Sequence, residues 1–306
     1  MPVQACTQFE ASTDDAKRIT SMLSAICLSA GKQGGSSTTV VCEVNEKNGM
    51  VFTIAAASKS LQAIAVVKPG AFSNWQFAPE QGGEVPSNPL QFCINLTTLV
   101  ECLKIFASTT SSSFDGTSST AEVVYRADTA CLWLTLVDGF CVTQCMLHTL
   151  DLEAPMRREL QVLNAPLDTP LRVLIPSDAL KSAVDELEWG DANEKRVTLR
   201  AAVQPPALSL TVASADLGCE MVLPAEMLIR YEAAAPLEHE YRFRMLHMAL
   251  RSLKDSNTAQ ISVDEIGVIE IRLRFPGLGT ASGSTELFAV FSIFPLTDED
   301  NAEWPP

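Results

Sequence analysis

The 306-residue sequence lacks several features that would assign it at once to a broad class of protein. No apolar run reaches the roughly 18 residues that a membrane-spanning helix needs, so we expect no membrane span. The first residues, Met1–Ala5, lack the charged and then apolar pattern of a secretory signal. We therefore interpret the nine cysteines as reduced thiols in a cytosolic or nuclear protein.

Patterns typical of catalysis and metal binding are also scarce. Only three histidines are present, and none lies in a recognisable triad motif with a nucleophile. Cys141, Cys145 and His148 are potential metal ligands, but side chains alternate along a strand, so His148 should point away from the two thiols. No Cys-x-x-Cys pair accompanies them. We expect no catalytic residue, no metal site and no cofactor.

One weak group of carboxylates leaves an enzymatic alternative open. Asp264 and Glu265 are adjacent in a segment that a glycine marks as a turn, and Glu270 follows on the next predicted strand. Clustered carboxylates can hold the two metal ions of a nuclease. A metal-dependent 3'-5' exonuclease is therefore kept as an unfavoured alternative.

The charge balance limits how the protein can meet nucleic acid. With 22 Lys and Arg against 37 Asp and Glu, the net charge is −15. This excess argues against a surface that binds nucleic acid all over, but it leaves room for one local basic patch. The hydrophobic content of 47% excludes a disordered chain, and the length suggests two domains.

Most of the sequence has the pattern of short strands, and helical spacing is confined to a few segments. The predicted helices are Asp15–Leu28, Asn95–Ser108, Ser177–Leu187 and Tyr241–Lys254. Asn95 and Ser177 are predicted helix N-caps. Asn48-Gly49 predicts a hairpin turn in which both central residues have positive φ.

The order of these elements indicates an internal duplication. Two predicted helices fall in each half of the chain, and each is followed by strands. We assign residues 1–150 to an N-terminal domain and 171–306, with the short acidic tail Asp298–Glu303, to a C-terminal domain. Residues 151–170 contain three prolines and are predicted to be an extended connector. The Ser-rich stretch Ser108–Ser119 is predicted to be a flexible hairpin tip.

Cations gather on the polar faces of three predicted helices. Helical spacing places Lys17 and Arg18 outward on the first helix and Lys104 outward on the second. On the fourth, Arg244, His247, Arg251 and Lys254 follow one another at i, i+3, i+7 and i+10. The third helix exposes Lys181 between two aspartates and is not basic. A row of Arg and Lys along a helix suits contacts with phosphate groups.

Several blocks of sequence resemble one known family. Phe92–Ser108 is similar to the second helix of the Rad-one family, whose members are subunits of a DNA-damage checkpoint clamp. Asn48–Ile54 resembles the first repeat of that family, and Leu171–Leu187 and Tyr241–Lys254 resemble its third and fourth helix units. The blocks occur in the family's order along nearly the whole chain.

The resemblance implies an α+β sliding-clamp fold similar to that of proliferating-cell nuclear antigen. Each of two domains would be a duplicated βαβββ unit, with helices on the inner face and sheets outside. The chain would then be a non-enzymatic nuclear protein that joins Rad-nine-like and Hus-one-like sister subunits in a ring. A separate clamp loader would place the ring around duplex DNA, where it serves checkpoint signalling and repair. A homotrimeric replication clamp is the main alternative.

The resemblance also implies roles for individual residues. The residues expected to face DNA are Lys17, Arg18, Lys104, Lys181, Arg244, Arg251 and Lys254. Subunit contacts are expected along the edge strands 141–150 and 218–224, with the interface residues Cys141, Thr143, Cys145, Leu147, Cys219, Met221 and Leu223. A groove for partner peptides is expected to have the wall residues Leu160, Val162, Leu163, Ile293, Phe294 and Pro295.

Overall fold

A computed structural model gives the structure of the chain. It describes residues 7–14, 16–27, 38–55, 60–77, 89–109, 120–138, 141–151, 169–187, 196–213, 218–275 and 287–296. The chain divides into two compact units, formed mainly by Met1–Ile54 with Ile64–Asn164 and by Ala165–Arg274 with Ala289–Pro306. Among the described residues no helix is long and apolar enough to cross a membrane.

The first half of the chain contains two helices and nine strands within its described residues. Their order is β1 (Thr7–Thr13), α1 (Ala16–Ile26), β2 (Thr39–Asn45), β3 (Gly49–Ala55), β4 (Leu61–Val67), β5 (Asn74–Phe77), β6 (Leu90–Asn95), α2 (Leu96–Thr109), β7 (Thr120–Arg126), β8 (Cys131–Asp138) and β9 (Cys141–His148). Five strands form a sheet in the order β5-β1-β7-β8-β9, while β6, β2, β3 and β4 are consecutive neighbours in another sheet. A 3-10 turn at Pro69–Ala71 precedes β5.

The second half also contains two helices and nine strands within its described residues. Its elements are β10 (Leu171–Pro176), α3 (Ser177–Leu187), β11 (Arg196–Val203), β12 (Pro206–Ala213), β13 (Gly218–Pro224), β14 (Arg230–Ala233), β15 (Leu237–Arg242), α4 (Phe243–Leu250), β16 (Thr258–Val263), β17 (Ile269–Phe275) and β18 (Leu287–Ile293). The strands are ordered β14-β10-β16-β17-β18 in one sheet and β13-β12-β11-β15 in another. A 3-10 turn at Ala225–Met227 precedes β14.

The element order confirms the predicted duplication. Each half contains strand, helix and three strands twice, and a 3-10 turn with one extra strand separates the two copies. The extra strands occupy matching places, because β5 pairs with β1 and β14 pairs with β10. The chain therefore consists of four βαβββ repeats, the α+β arrangement expected from the sequence.

Tertiary pairing corrects the predicted start of the last helix. The segment predicted as Tyr241–Lys254 is helical only from Phe243 to Leu250, because Tyr241 and Arg242 belong to β15 and pair with β11. Lys254 lies in a separate 3-10 turn, Leu253–Asp255.

Two local predictions were partly wrong. The β2–β3 hairpin has the expected glycine, Gly49 with φ +78°, but Ala130 is the only non-glycine residue with positive φ in the described part of the chain. Asn48 is therefore not left-handed, and a three-residue loop before a left-handed glycine replaces the two-residue turn. Ser177, predicted as an N-cap, is the first residue of α3, and its Oγ lies 2.8 Å from Oγ of Ser256.

The helices bury most of the apolar residues that their spacing placed inward, although Cys102 and Met245 are only half-buried. The fully or almost fully buried residues are Ile19, Met22, Leu23 and Ile26 on α1, Leu99 and Leu103 on α2, Leu180, Ala183, Val184 and Leu187 on α3, and Leu246, Ala249 and Leu250 on α4. Removal of this apolar surface from water is the main contribution that holds each helix to its sheet. The side chains on the outward side of each helix are therefore not needed for packing against the sheet.

Candidate DNA-facing helices and subunit edges

On α1, the two predicted cations lie away from the buried side. Lys17 is exposed and Arg18 is half-buried, whereas Ile19 and Met22 face the core. The first turn of the helix contains no acidic residue, and its last turn contains no basic residue. The outward side of α1 therefore carries positive charge near its start.

On α2, the charges nearly cancel. The helix begins after Asn95, whose Oδ1 accepts a hydrogen bond of 3.1 Å from the backbone N–H of Thr98, so the predicted N-cap is confirmed. Lys104 is exposed, but Glu101 is exposed one turn earlier on the same side. We therefore expect a smaller electrostatic contribution from α2 than from α1.

The basic residues near α4 do not form one continuous helical row. Arg244 and His247 are half-buried on α4, and the His247 ring is stacked on Phe243 with ring centroids 6.0 Å apart. Arg251 follows the last helical residue and Lys254 lies in the 3-10 turn, and both are exposed. The segment still presents three cations to solvent, with Asp255 half-buried beside the last of them.

The outward side of α3 is acidic. Asp178, Asp185 and Glu186 are exposed, and Lys181 forms an ion pair with Asp185 one turn along the helix. The Lys181 charge is thus already compensated within α3. Of the cations predicted to face DNA, Lys181 is the least available for a phosphate group.

Among the described residues, strand β9 is a sheet edge that no further strand covers. It is the last strand of its sheet, and its eight residues include no Lys, Arg, Asp or Glu. Val142 is 63% exposed and Met146 is 49% exposed on one face. On the other face Cys141 is exposed, Thr143 and Cys145 are half-buried, and Leu147 is buried. Proteins usually blunt an edge of this kind with charge or proline, or cover it.

Met146 extends a row of side chains across the outer face of this sheet. It pairs with Trp133 on β8, which in turn pairs with Val124 on β7. The guanidinium carbon of Arg126 lies 5.4 Å from the centroid of the Trp133 ring. Alternation along β9 places Met146 on this face, but only the pairing register of the three strands aligns it with Trp133 and Val124.

Strand β13 is a second edge with little charge. It ends the sheet β13-β12-β11-β15, and Glu220 is its single charged residue. Val222 is 52% exposed, Cys219 and Met221 are half-buried, and Leu223 is buried. Because the side chains of Leu147 and Leu223 face the cores of their own units, any partner strand must meet β9 and β13 through the backbone and the remaining side chains.

Only part of the predicted peptide groove lies within the described residues. Leu160, Val162 and Leu163 lie outside them, as do most of the predicted connector and hairpin tip and the whole acidic tail. Ile293 is completely buried and belongs to the core of its unit, which removes it from the predicted wall. Phe294 is 39% exposed and Pro295 is half-buried.

The carboxylates of the nuclease alternative have structural partners. Asp264 is buried, and its Oδ1 accepts hydrogen bonds from the backbone N–H groups of Ile266 and Val268 in the turn between β16 and β17. Glu270 pairs with Arg272 at 3.2 Å, and Glu265 is exposed. Among the described residues, no three His, Cys, Asp or Glu side chains are grouped to hold a metal ion.

The histidine of the discounted metal motif contacts a different cysteine. Nδ1 of His148 lies 3.3 Å from Sγ of Cys131, the residue opposite it on β8. The Cys131 thiol also donates to the backbone carbonyl of Thr129. His148 therefore lies apart from the face that carries Cys141 and Cys145, as alternation predicts.

Comparison with protein families decides the assignment. The family described as Repair protein Rad1/Rec1/Rad17 matches residues 8–274. The chain belongs to this family. DNA repair protein Rad1 of Drosophila melanogaster is 21% identical over 245 residues, which are 79% of this chain and 81% of that protein. Cell cycle checkpoint protein RAD1 of Homo sapiens is 30% identical over 145 residues, which are 46% of this chain and 45% of that protein.

A solved structure confirms the fold of this Rad1-family chain. The crystal structure of the PCNA2-PCNA3 complex from Sulfolobus tokodaii includes a chain that superposes with a TM-score of 0.65. The match covers 94% of this chain and 98% of that chain at 15% sequence identity. The Rad1-family chain therefore has the sliding-clamp fold that the sequence blocks implied.

Proposed function

We propose that this Rad1-family chain is a non-enzymatic subunit of a heterotrimeric checkpoint clamp that encircles duplex DNA at sites of damage. Rad-nine-like and Hus-one-like subunits complete the ring, and a separate clamp loader places it on DNA in the nucleus. The ring then serves as a platform for checkpoint signalling and repair factors. The observation that carries this proposal is the set of cations on α1 and around α4 in a chain of net charge −15.

The topology of a ring explains why a few cations would suffice for retention on DNA. A ring retains DNA by its topology, so its inner surface needs only weak contacts that exchange as the ring moves. Arg and Lys side chains supply such contacts because they bind phosphate groups without reading sequence. In this proposal Lys17, Arg18, Arg251 and Lys254 contribute most, Arg244 and Lys104 less, and Lys181 least because of its ion pair with Asp185.

The two sheet edges suit assembly into a ring. Backbone N–H and C=O groups on the open sides of β9 and β13 need partners, and a strand from a sister subunit would satisfy them. Cys141, Thr143 and Cys145 on β9 and Cys219 and Met221 on β13 would border the added strands. Val142, Met146 and Val222 would lose their exposure on the other face, and burial of this apolar surface favours association.

Charge reversal around α4 tests the DNA contacts. We expect the triple variant Arg244→Glu, Arg251→Glu and Lys254→Glu to assemble normally but to leave closed circular DNA much faster than the unchanged ring. The matched control reverses the same amount of charge on strand surfaces with Arg172→Glu, Arg230→Glu and Arg274→Glu. Retention of the α4 variant equal to that of the control would contradict the assignment of the DNA-facing segment.

The mass of the intact assembly tests the heterotrimer. Mixing the chain with Rad-nine-like and Hus-one-like subunits should give one complex that contains a single copy of each. A self-assembled trimer of this chain alone would favour the replication-clamp alternative.

Replacement of Met146 by Lys at the β9 edge should block assembly, because an added strand would bury its charge. The matched change Gln144→Lys, at a position that is already polar and exposed, should be tolerated better.

A further inference from the structure

Strand β13 carries a single charged side chain beside its open edge. Glu220 is exposed, and alternation along the strand places it on the outer face with Val222, away from the buried Leu223. This face forms one side of an open cleft whose lining includes Glu220, Val222 and Arg200. Because no described strand follows β13 in its sheet, the Glu220 carboxylate borders the place that an added strand would take.

The cations that β11 presents on the same face already have acidic partners on β15. These ion pairs join Arg196 to Glu240 at 3.4 Å and Arg200 to Glu238 at 2.8 Å. The hydrogen bond and the charge of Glu238 raise the pKa of Arg200, and the charge of Glu220 adds a smaller effect. The Arg200 guanidinium is thus held chiefly by Glu238.

The neighbour of Glu220 across the sheet leaves its charge unpaired as well. Thr211 of β12 lies directly opposite Glu220 in the pairing register. The buried Oγ1 atom of Thr211 has no hydrogen-bond partner among the described residues, so it does not donate to the carboxylate. Within the same ranges no Lys or Arg forms an ion pair with Glu220. A cation from another chain is therefore free to pair with it.

An added strand would place one of its residues directly opposite Glu220. Side chains that face each other across neighbouring strands have Cβ atoms about 4.5–5.5 Å apart, and opposite charges at such positions stabilise the pairing. Like charges at these positions oppose it. A neutral side chain would take water from the carboxylate without replacing the lost hydration. Lys or Arg is therefore the residue that suits the position opposite Glu220.

The open edge of the first unit does not offer such a cation. Strand β9 contains no Lys and no Arg. His148, its last residue, is the one side chain of the strand that can carry positive charge, and its Nδ1 lies 3.3 Å from Sγ of Cys131. If a second copy of this chain paired its β9 with β13, Glu220 would face a strand without Lys or Arg.

We propose that the β13 edge selects a sister-subunit strand that carries Lys or Arg on its outer face opposite Glu220. This selection depends on the proposed ring, to which it adds the chemistry of the strand at one of the two edges. Glu220 thereby favours a different subunit over a second copy of this chain as the neighbour at β13. The apolar side chains of Val142 and Met146 at the β9 edge require no cation, so the two edges accept different partners.

Separate binding measurements with the two sister subunits test this selection. The full chain is titrated with the Rad-nine-like subunit and, in a second series, with the Hus-one-like subunit. Glu220→Lys should weaken binding to one sister by roughly tenfold, because an attractive cross-strand pair becomes a repulsive one. Binding to the other sister, at the β9 edge, should be unchanged, which also shows that the variant is folded.

Two controls separate local pairing from a general effect of charge. Glu226→Lys makes the same charge change in the exposed 3-10 turn that follows β13. It should alter binding to either sister by less than about twofold, because an exposed charge outside the strand has no facing residue. Replacement of the facing Lys or Arg of the sister strand by Glu should restore its binding to the Glu220→Lys chain.

Three outcomes would overturn the selection. The first is a Glu220→Lys chain that binds both sisters as tightly as the unchanged chain does. The second is a loss of binding in Glu226→Lys equal to that in Glu220→Lys. The third is that no replacement of Lys or Arg by Glu in the weakened sister restores binding. A failure of the proposed ring would look different, because the unchanged chain would then bind neither sister.

Discussion

The helices α3 and α4 occupy equivalent places in successive repeats, yet their outward sides carry opposite charge. Both bury an apolar side against a sheet, with Leu180 fully buried on α3 and Leu246 3% exposed on α4. Outside, α3 presents Asp178, Asp185 and Glu186, whereas the α4 segment presents cations. The repeat thus constrains the buried side and leaves the polar side free to differ. Position in the repeat alone is therefore no guide to which helix could attract phosphate groups.

The largest expected effect concerns the buried apolar side, which α3 and α4 have in common. Leu180→Ala and Leu246→Ala should each lower the free energy of unfolding by about 2–5 kcal/mol, because each leaves a cavity beneath its helix. Denaturant unfolding of the isolated chain measures both losses. A loss below about 1 kcal/mol for either variant would show that this helix does not pack as its burial indicates.

A smaller effect sharpens the difference between the two helices. Within the proposed ring, Arg251→Gln with Lys254→Gln should reduce the slope of log affinity against log salt by roughly 2, because two phosphate contacts are lost. Lys181→Gln should change the slope little, since that charge is paired with Asp185. DNA binding of the assembled ring across a salt series provides the measurement. Equal changes for α3 and α4 would remove the distinction between them.

The strand that leads into α4 supplies a third prediction. The buried Tyr241 hydroxyl donates a hydrogen bond of 2.6 Å to the backbone carbonyl of Gly267. Tyr241→Phe should cost about 1–2 kcal/mol, because the carbonyl loses its partner. Tyr231→Phe is a comparison at a half-buried site whose hydroxyl contacts the carbonyls of Ala202 and Ala207. A larger loss at Tyr231 would contradict the greater importance of burial at Tyr241.

The same tyrosine should make stability sensitive to alkaline pH. Burial, with a smaller effect from Asp264, raises the pKa of Tyr241 well above the usual value. The folded chain therefore holds this proton more tightly than the unfolded chain does. The resulting stabilisation is present below pH ~10 and is lost as the pH rises further. Denaturant unfolding at pH 8 and pH 11 should show a steeper loss for the unchanged chain than for Tyr241→Phe.

The smallest effect concerns the ion pair on α3. Lys181→Ala should change the free energy of unfolding by no more than about 0.5 kcal/mol. Both partners are substantially exposed, and a lysine that precedes its acidic partner is the less favourable order on a helix. Glu186→Ala on the same helix is the control. A loss above about 1 kcal/mol for Lys181→Ala would show that the pair supports the fold as well as masking charge.

Much of the fold could be predicted because the signals were local. Helical spacing gave the buried sides of all four predicted helices, and Asn95 was found as an N-cap from its residue type and position. The predicted last helix began too early, because Tyr241 and Arg242 end the strand Leu237–Arg242. In this strand Leu237, His239 and Tyr241 alternate with charged residues. The period of two was present, but pairing with β11 decided that the segment is a strand.

The candidate site was predictable only in outline. Residue spacing located the cations, and the family resemblance implied the edge strands. No pattern in the sequence showed that Lys181 is compensated or that Ile293 is buried. These properties depend on neighbours supplied by other turns, strands and helices.

The sequence by itself determined the repeated order of strands and helices, the apolar side of each helix and the excess of negative charge. These follow from hydrophobic periodicity and composition, which act over one or two turns or along a single strand. Only the tertiary structure decided where α4 begins and which cations are already paired within the chain. Those outcomes arise from packing between residues far apart in the chain, where the free energy of burial and pairing outweighs local preference.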